Sequence, residues 1–102
     1  MEGVPHIEVP RAALAEFCRR HHIKRLAFFG SVLRDDFGPD SDIDVLYEFE
    51  EGHALGWEIV SVIEELSELL GGRKIDFVSY KYISPRLKKI ILAEAQVQYD
   101  AA

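Results

Sequence analysis

Leu14, Phe17, Cys18 and His21 recur at i, i+3, i+4 and i+7 behind Pro10, a residue suited to the first position of a helix. That spacing predicts one amphipathic helix reaching about residue 22. Residues 23–29 are short and largely apolar and end at Gly30-Ser31, the pattern of a buried strand. Ser31 then caps a short helix carrying Val32, Leu33 and Arg34, which Gly38-Pro39 must stop. From Asp42 to Phe49 the period changes to two. Ile43, Val45, Tyr47 and Phe49 fall on one face, predicted to be the core face, and Asp42, Asp44, Leu46 and Glu48 on the other.

Helical spacing returns with Leu55, Ile59, Val62, Ile63, Leu66, Leu69 and Leu70, and Gly71-Gly72 supplies a left-handed stop. Residues 74–79 predict a third strand, with Ile75 and Phe77 facing one way and Asp76 the other. Ser84-Pro85 opens a last helix to about Gln96, with Leu87, Ile90, Ile91 and Ala95 as its inner stripe. The order helix, strand, short helix, strand, helix, strand, helix predicts an α/β fold with a small sheet.

A chain of 102 residues with 48% hydrophobic content has enough apolar surface for one core, so residues 1–102 are expected to form a single domain. The start of the chain has no basic stretch followed by an apolar run, and no apolar run approaches membrane-spanning length. A cytoplasmic protein with no membrane partner is expected. Cys18 is the one cysteine, and its place on an apolar helix face predicts a buried thiol. Cys18, His21 and His22 lack the second Cys/His pair of a zinc site. The formal net charge of −6 argues against direct nucleic-acid binding through a broad basic surface. Basic residues cluster at Arg19, Arg20, Lys24 and Arg25, and again at Lys81, Arg86, Lys88 and Lys89.

The chemistry concentrates between Gly30 and Leu46, in GSVLRDDFGPDSDIDVL. Backbone amides of Gly30-Ser31 can face a triphosphate where a helix begins. Asp42 and Asp44, separated by one residue, point to one face of a strand, and two hard anionic ligands on one rigid element suit Mg²⁺. Asp76 stands opposite Ile75 and Phe77 as Asp42 and Asp44 stand opposite Ile43 and Val45, so three acids can converge on one sheet surface. Spacing leaves a second reading open for each: Asp76 as an edge-strand charge paired with Lys74 or Arg73, and Asp40-Ser41-Asp42 as an Asp-rich turn. Arg34 is either a phosphate contact or a salt-bridge partner of Asp35, Asp36 or Asp40. There is no Walker A sequence, GxGxxG fingerprint or GxSxG elbow.

Gly30-Ser31, Asp42-x-Asp44 and Asp76 resemble the signature of the DNA polymerase β-like nucleotidyltransferase superfamily. The chain length and the spelling of the segment resemble its minimal nucleotidyltransferase (MNT) branch, commonly the antitoxin half of a HEPN/MNT toxin-antitoxin pair. The resemblance implies the polymerase β-like fold, a small mixed sheet with flanking helices. It implies that Asp42, Asp44 and Asp76 hold two Mg²⁺ ions and carry catalysis, and that Gly30 and Ser31, with Arg34 beside them, hold the phosphates of ATP. It also implies a HEPN ribonuclease toxin as hetero-oligomeric partner, with AMP placed on a tyrosine near the toxin's active site. Two other functions compete with this AMPylation reading: an antitoxin that neutralises by binding alone, and a transferase acting on a small molecule or an RNA end.

Overall fold

The computed structural model describes residues 7–35, 37–38, 40–53 and 56–101. Its elements run α1 (Arg11–Arg20), β1 (Ile23–Phe29), a 3-10 turn (Gly30–Leu33), β2 (Ile43–Phe49), α2 (Ile59–Leu69), β3 (Ile75–Ser79), α3 (Pro85–Glu94) and β4 (Gln96–Asp100). The four strands form one mixed sheet in the order β3-β2-β1-β4. β1 is antiparallel to both neighbours, and β2 and β3, joined through α2, are parallel.

The α/β expectation and the three predicted strands hold, and the differences are local. Pro10 sits just ahead of α1, where its carbonyl accepts Leu14 N–H at 2.8 Å. The short helix is a single 3-10 turn that Arg34 leaves in extended conformation. α2 begins at Ile59. Leu55, expected to open its stripe, lies outside the described residues, as does Pro39. Ser84 caps α3 by accepting Leu87 N–H at 3.2 Å, with Pro85 in the first turn.

The larger correction is β4. Residues near Gln96 were expected to end the last helix. Instead Ala95 turns extended and the next five residues pair with the otherwise open edge of β1. The alternation in Gln-Val-Gln-Tyr-Asp carries only two apolar residues, too short to announce a strand until β1 offers it a partner.

Both faces of the sheet are covered. α1 and α2 lay Leu14, Phe17, Cys18, Val62 and Leu66 against Ile23, Phe28, Ile43 and Val45 on one face. On the other, Ile91 of α3 packs on Ala27 of β1 and Leu46 of β2. Leu46, predicted on the polar face of β2, is therefore buried as well. The expected stripe of α3 is also corrected: Ile91 is buried, whereas Leu87 and Ile90 are 46% and 59% exposed. Ile91 is the one buried residue of α3, with Ala95 partly buried at the helix end, and Leu87 and Ile90 point outward. Trp57, in the turn before α2, is 95% exposed.

Candidate active site

The antiparallel register of β1 and β2 sets Phe29 opposite Asp44, so the chain leaving β1 turns at the start of β2. Gly30 occupies that turn with φ +74°, a left-handed conformation that side chains rarely adopt. It is buried against Asp44: a Cβ there would overlap the Asp44 carboxylate. The sequence needs glycine here for conformation and for space. Ser31 follows, its hydroxyl facing the Asp42 carbonyl at 3.4 Å.

In the parallel β2/β3 pair Asp44 is the partner of Asp76, so the two side chains emerge side by side. Asp42 lies one residue ahead of β2, and Ile43 N–H donates to Lys74 O at 2.9 Å, joining the starts of the two strands. The three acids come together. Burial, followed by the charge and hydrogen bonding of Asp76 and the charge of Asp42, pushes the Asp44 carboxyl above its ordinary value, while a hydrogen bond from the Ser31 backbone pulls the other way. Without a cation, this cluster favours a proton on Asp44. Three carboxylates, all hard oxygen donors, fit Mg²⁺ by charge and ligand type.

The edge-strand alternative for Asp76 required Arg73 or Lys74 as its partner. Arg73 is engaged elsewhere: its guanidinium donates to Gly38 O at 2.7 Å and Ser41 O at 3.3 Å and lies 4.3 Å from the Phe37 ring centroid. It pins the loop leading to Asp42. An open cleft of about 490 Å³ lies there, bounded by Asp40, Ser41, Asp42, Gly71, Gly72, Arg73 and Lys74.

Arg34 pairs with Glu94, an acid that local spacing does not propose. Its guanidinium donates to Glu94 at 2.9 Å, and the other oxygen of Glu94 accepts Gly30 N–H at 3.0 Å; Asp36, one of the proposed partners, lies outside the described residues. The cause is the unexpected fourth strand. Phe28 pairs with Gln96, and extending that antiparallel register by two residues sets Glu94 beside Gly30. Two groups expected to meet phosphate, the Gly30 amide and Arg34, are thus held by one carboxylate, and the Ser31 amide bonds to Asp44. Glu94 does not stand out in the sequence, and Arg73 does so only as a pairing partner for Asp76. Only the α3-β4 return and the β3 approach bring them to the site, and neither stands in a local motif.

Cys18 is fully buried, and burial pushes its thiol up to about 12. His21 turns to Glu65 at 3.2 Å and against Phe17, so Cys18 and His21 do not join His22 in a shared site.

A glycine-serine turn against converging carboxylates on a mixed α/β sheet sets backbone amides and hard oxygen donors side by side. Residues 11–97 match the nucleotidyltransferase domain family, and the chain belongs to it: it is a nucleotidyltransferase. A protein of Methanocaldococcus jannaschii, provisionally named a protein adenylyltransferase, is 43% identical over 76 residues, 74% of this chain and 80% of the relative. The protein adenylyltransferase MntA of Thermococcus cleftensis is 33% identical over 79 residues, 78% of each chain. A solved structure provisionally described as a minimal nucleotidyltransferase superposes with TM-score 0.70 at 40% identity, covering 84% of this chain and 86% of the other. A crystal structure of a toxin-antitoxin with AMP-PNP shares the fold, with TM-score 0.72 at 14% identity over 90% of this chain and 74% of that one.

Proposed function

We propose that this nucleotidyltransferase moves AMP from ATP to a tyrosine hydroxyl of a HEPN-domain ribonuclease toxin and so acts as its antitoxin. The observation that carries the reading is the in-register pair Asp44 and Asp76 with Asp42 beside it, against the Gly30-Ser31 turn. The names of the relatives from Methanocaldococcus and Thermococcus support a protein acceptor.

Asp42, Asp44 and Asp76 would hold two Mg²⁺ ions. When bound, these neutralise charge on the triphosphate and on the attacking and leaving oxygens. The chain's own part is positioning. Gly30 keeps the turn close to Asp44, and Ser31 and Arg34 face the triphosphate once Glu94 yields its partners. Asp76, the most exposed of the three acids, orients the tyrosine hydroxyl and receives its proton. The phenolic oxygen forms a bond to the α-phosphorus, the bond from that phosphorus to the bridging oxygen breaks, and pyrophosphate leaves with the electron pair. The protein works in the cytoplasm, where ATP and Mg²⁺ are at hand. Among the described residues no helix is long and apolar enough to cross a membrane.

The test is the intact mass of a co-expressed or adjacent-gene HEPN-domain protein after incubation with this protein, ATP and Mg²⁺, in parallel with the Asp42→Ala/Asp44→Ala variant. A gain of adenylyl mass with the wild type alone supports the reading. An unmodified toxin in a stable complex instead supports neutralisation by binding. The outward side chains Leu87 and Ile90, adjacent on α3, favour that second reading as an apolar docking face.

A further inference from the structure

At the opposite end of β2 from the carboxylates, two loops bring together His22, Glu50 and His53. Glu50 lies six residues beyond Asp44, about 20 Å along a strand and its exit, so this cluster is separate from the active site. We infer that these three side chains form a binding site for a borderline divalent cation of the zinc class.

The backbone builds the cluster. Ile23 pairs with Phe49 at the end of the β1/β2 ladder, and one residue further out Glu50 N–H donates to the His22 carbonyl at 2.9 Å. A turn then closes with His53 N–H donating to Glu50 O at 3.1 Å. Gly52 supplies the left-handed residue of that turn with φ +84°. Glu50 and His53 are thus returned to the edge occupied by His22. Among the described residues, His22 is the only residue other than glycine with positive φ, at +58° just past α1. Glycine is favoured at such a position, and an imidazole there is held at a conformational cost.

One donor atom from each residue lies within 4.8 Å of the others. Nδ1 of His22 is 3.9 Å from Oε1 of Glu50, and the two imidazole rings stack with centroids 3.9 Å apart. Tetrahedral zinc with bonds of about 2.0–2.2 Å needs donors about 3.3–3.6 Å apart. The two rings lie only 11° from parallel, so binding turns one imidazole out of the stack to bring its in-plane lone pair onto the ion, with an ångström or so of further side-chain movement. His22 and Glu50, both roughly half exposed, have room for it. Two imidazoles and one carboxylate suit Zn²⁺, Ni²⁺ or Cu²⁺, whereas Mg²⁺ prefers an all-oxygen shell. A fourth position is left for water. The bound ion would tie the α1-β1 turn to the exit of β2, fastening the end of the hairpin remote from catalysis.

Calorimetric titration with ZnCl₂ tests this on the full chain in excess Mg²⁺, which occupies hard-oxygen sites. Wild type, His53→Ala and His22→Gly are compared, the glycine variant relieving the backbone at position 22. The expected result is one Zn²⁺ per chain, with affinity falling at least tenfold in each variant, and a Zn²⁺-induced rise in Tm seen only in the wild type. No saturable binding by the wild type, or undiminished binding by either variant, would overturn the inference. Neither readout depends on nucleotidyl transfer, so the result is independent of the proposed function.

Discussion

Gly30 and Asp44 are in contact through the space that a side chain on residue 30 would fill, since a Cβ there would overlap the carboxylate of Asp44. Gly30→Ala therefore combines two penalties. An alanine at φ +74° carries backbone strain of order 1–3 kcal/mol, and the methyl group displaces Asp44. The expected outcome is a lower denaturant midpoint together with a drop of about 10²-fold in adenylyl transfer, because misplacement of a reacting group by an ångström has that scale of effect. Equilibrium unfolding and the toxin mass assay measure the two separately. Unchanged transfer would remove the close approach of Gly30 from the mechanism.

The role proposed for Asp44 runs against stability. Burial and the neighbouring Asp76 and Asp42 raise its carboxyl above the ordinary 3.8. The native state consequently holds that proton more tightly than the unfolded chain. Its contribution to stability is fully present below 3.8 and is lost as pH rises through the raised value, which leaves a penalty at neutral pH. Asp44→Asn, measured in EDTA at pH 7, should have a higher Tm than the wild type while losing transferase activity. Mg²⁺ should then narrow the gap by stabilising only the wild type. A variant less stable than the wild type in EDTA would mean that the carboxylate holds the fold.

Glu94 bonds to both Gly30 and Arg34, two of the groups expected to meet phosphate. An anionic ligand must displace it, and hydrogen bonds to charged groups contribute about 1.5–3 kcal/mol each. Glu94→Gln, which keeps the shape and removes the charge, should tighten binding of a non-hydrolysable ATP analogue about tenfold or more, as read by calorimetry. Weaker binding would show instead that the carboxylate is needed to shape the Gly30 turn.

The thiol of Cys18 is buried between α1 and the sheet and pushed up to about 12. Little of it is thiolate at neutral pH. Iodoacetamide at pH 8 should leave the native protein unlabelled over hours and label it fully in guanidinium, with mass spectrometry as the readout. Prompt labelling of the native protein would contradict this burial.

The parts of the fold legible in the sequence are those written within one element. Val62, Leu66 and Leu70 mark the buried side of α2 because a helix repeats its face every three to four residues, and these three reach the core as expected. Gly30-Ser31 and Asp42-x-Asp44 are readable because each is a pattern of near neighbours in the chain. Asp76 is intermediate: its face follows from strand alternation, but its pairing with Asp44 requires the parallel β2/β3 register, which no local pattern encodes. What escaped depends on distant closure. β4 becomes a strand because β1 has a free edge, and Glu94 reaches Gly30 only because β4 returns beside β1. The misplaced stripe of α3 has the same origin, since the turn of that helix is set by where Ala27 and Leu46 offer it a seat.

Trp57 is the only tryptophan of the chain and stands almost wholly in solvent. The usual optical signal of unfolding is therefore muted in this protein: indole emission should be red-shifted and quenched by acrylamide in the native state, and should change little in denaturant. The same placement makes the residue a surface reporter. A blue shift or protection from quencher on mixing with another macromolecule would mark the turn before α2 as covered, against a background in which folding itself is nearly silent.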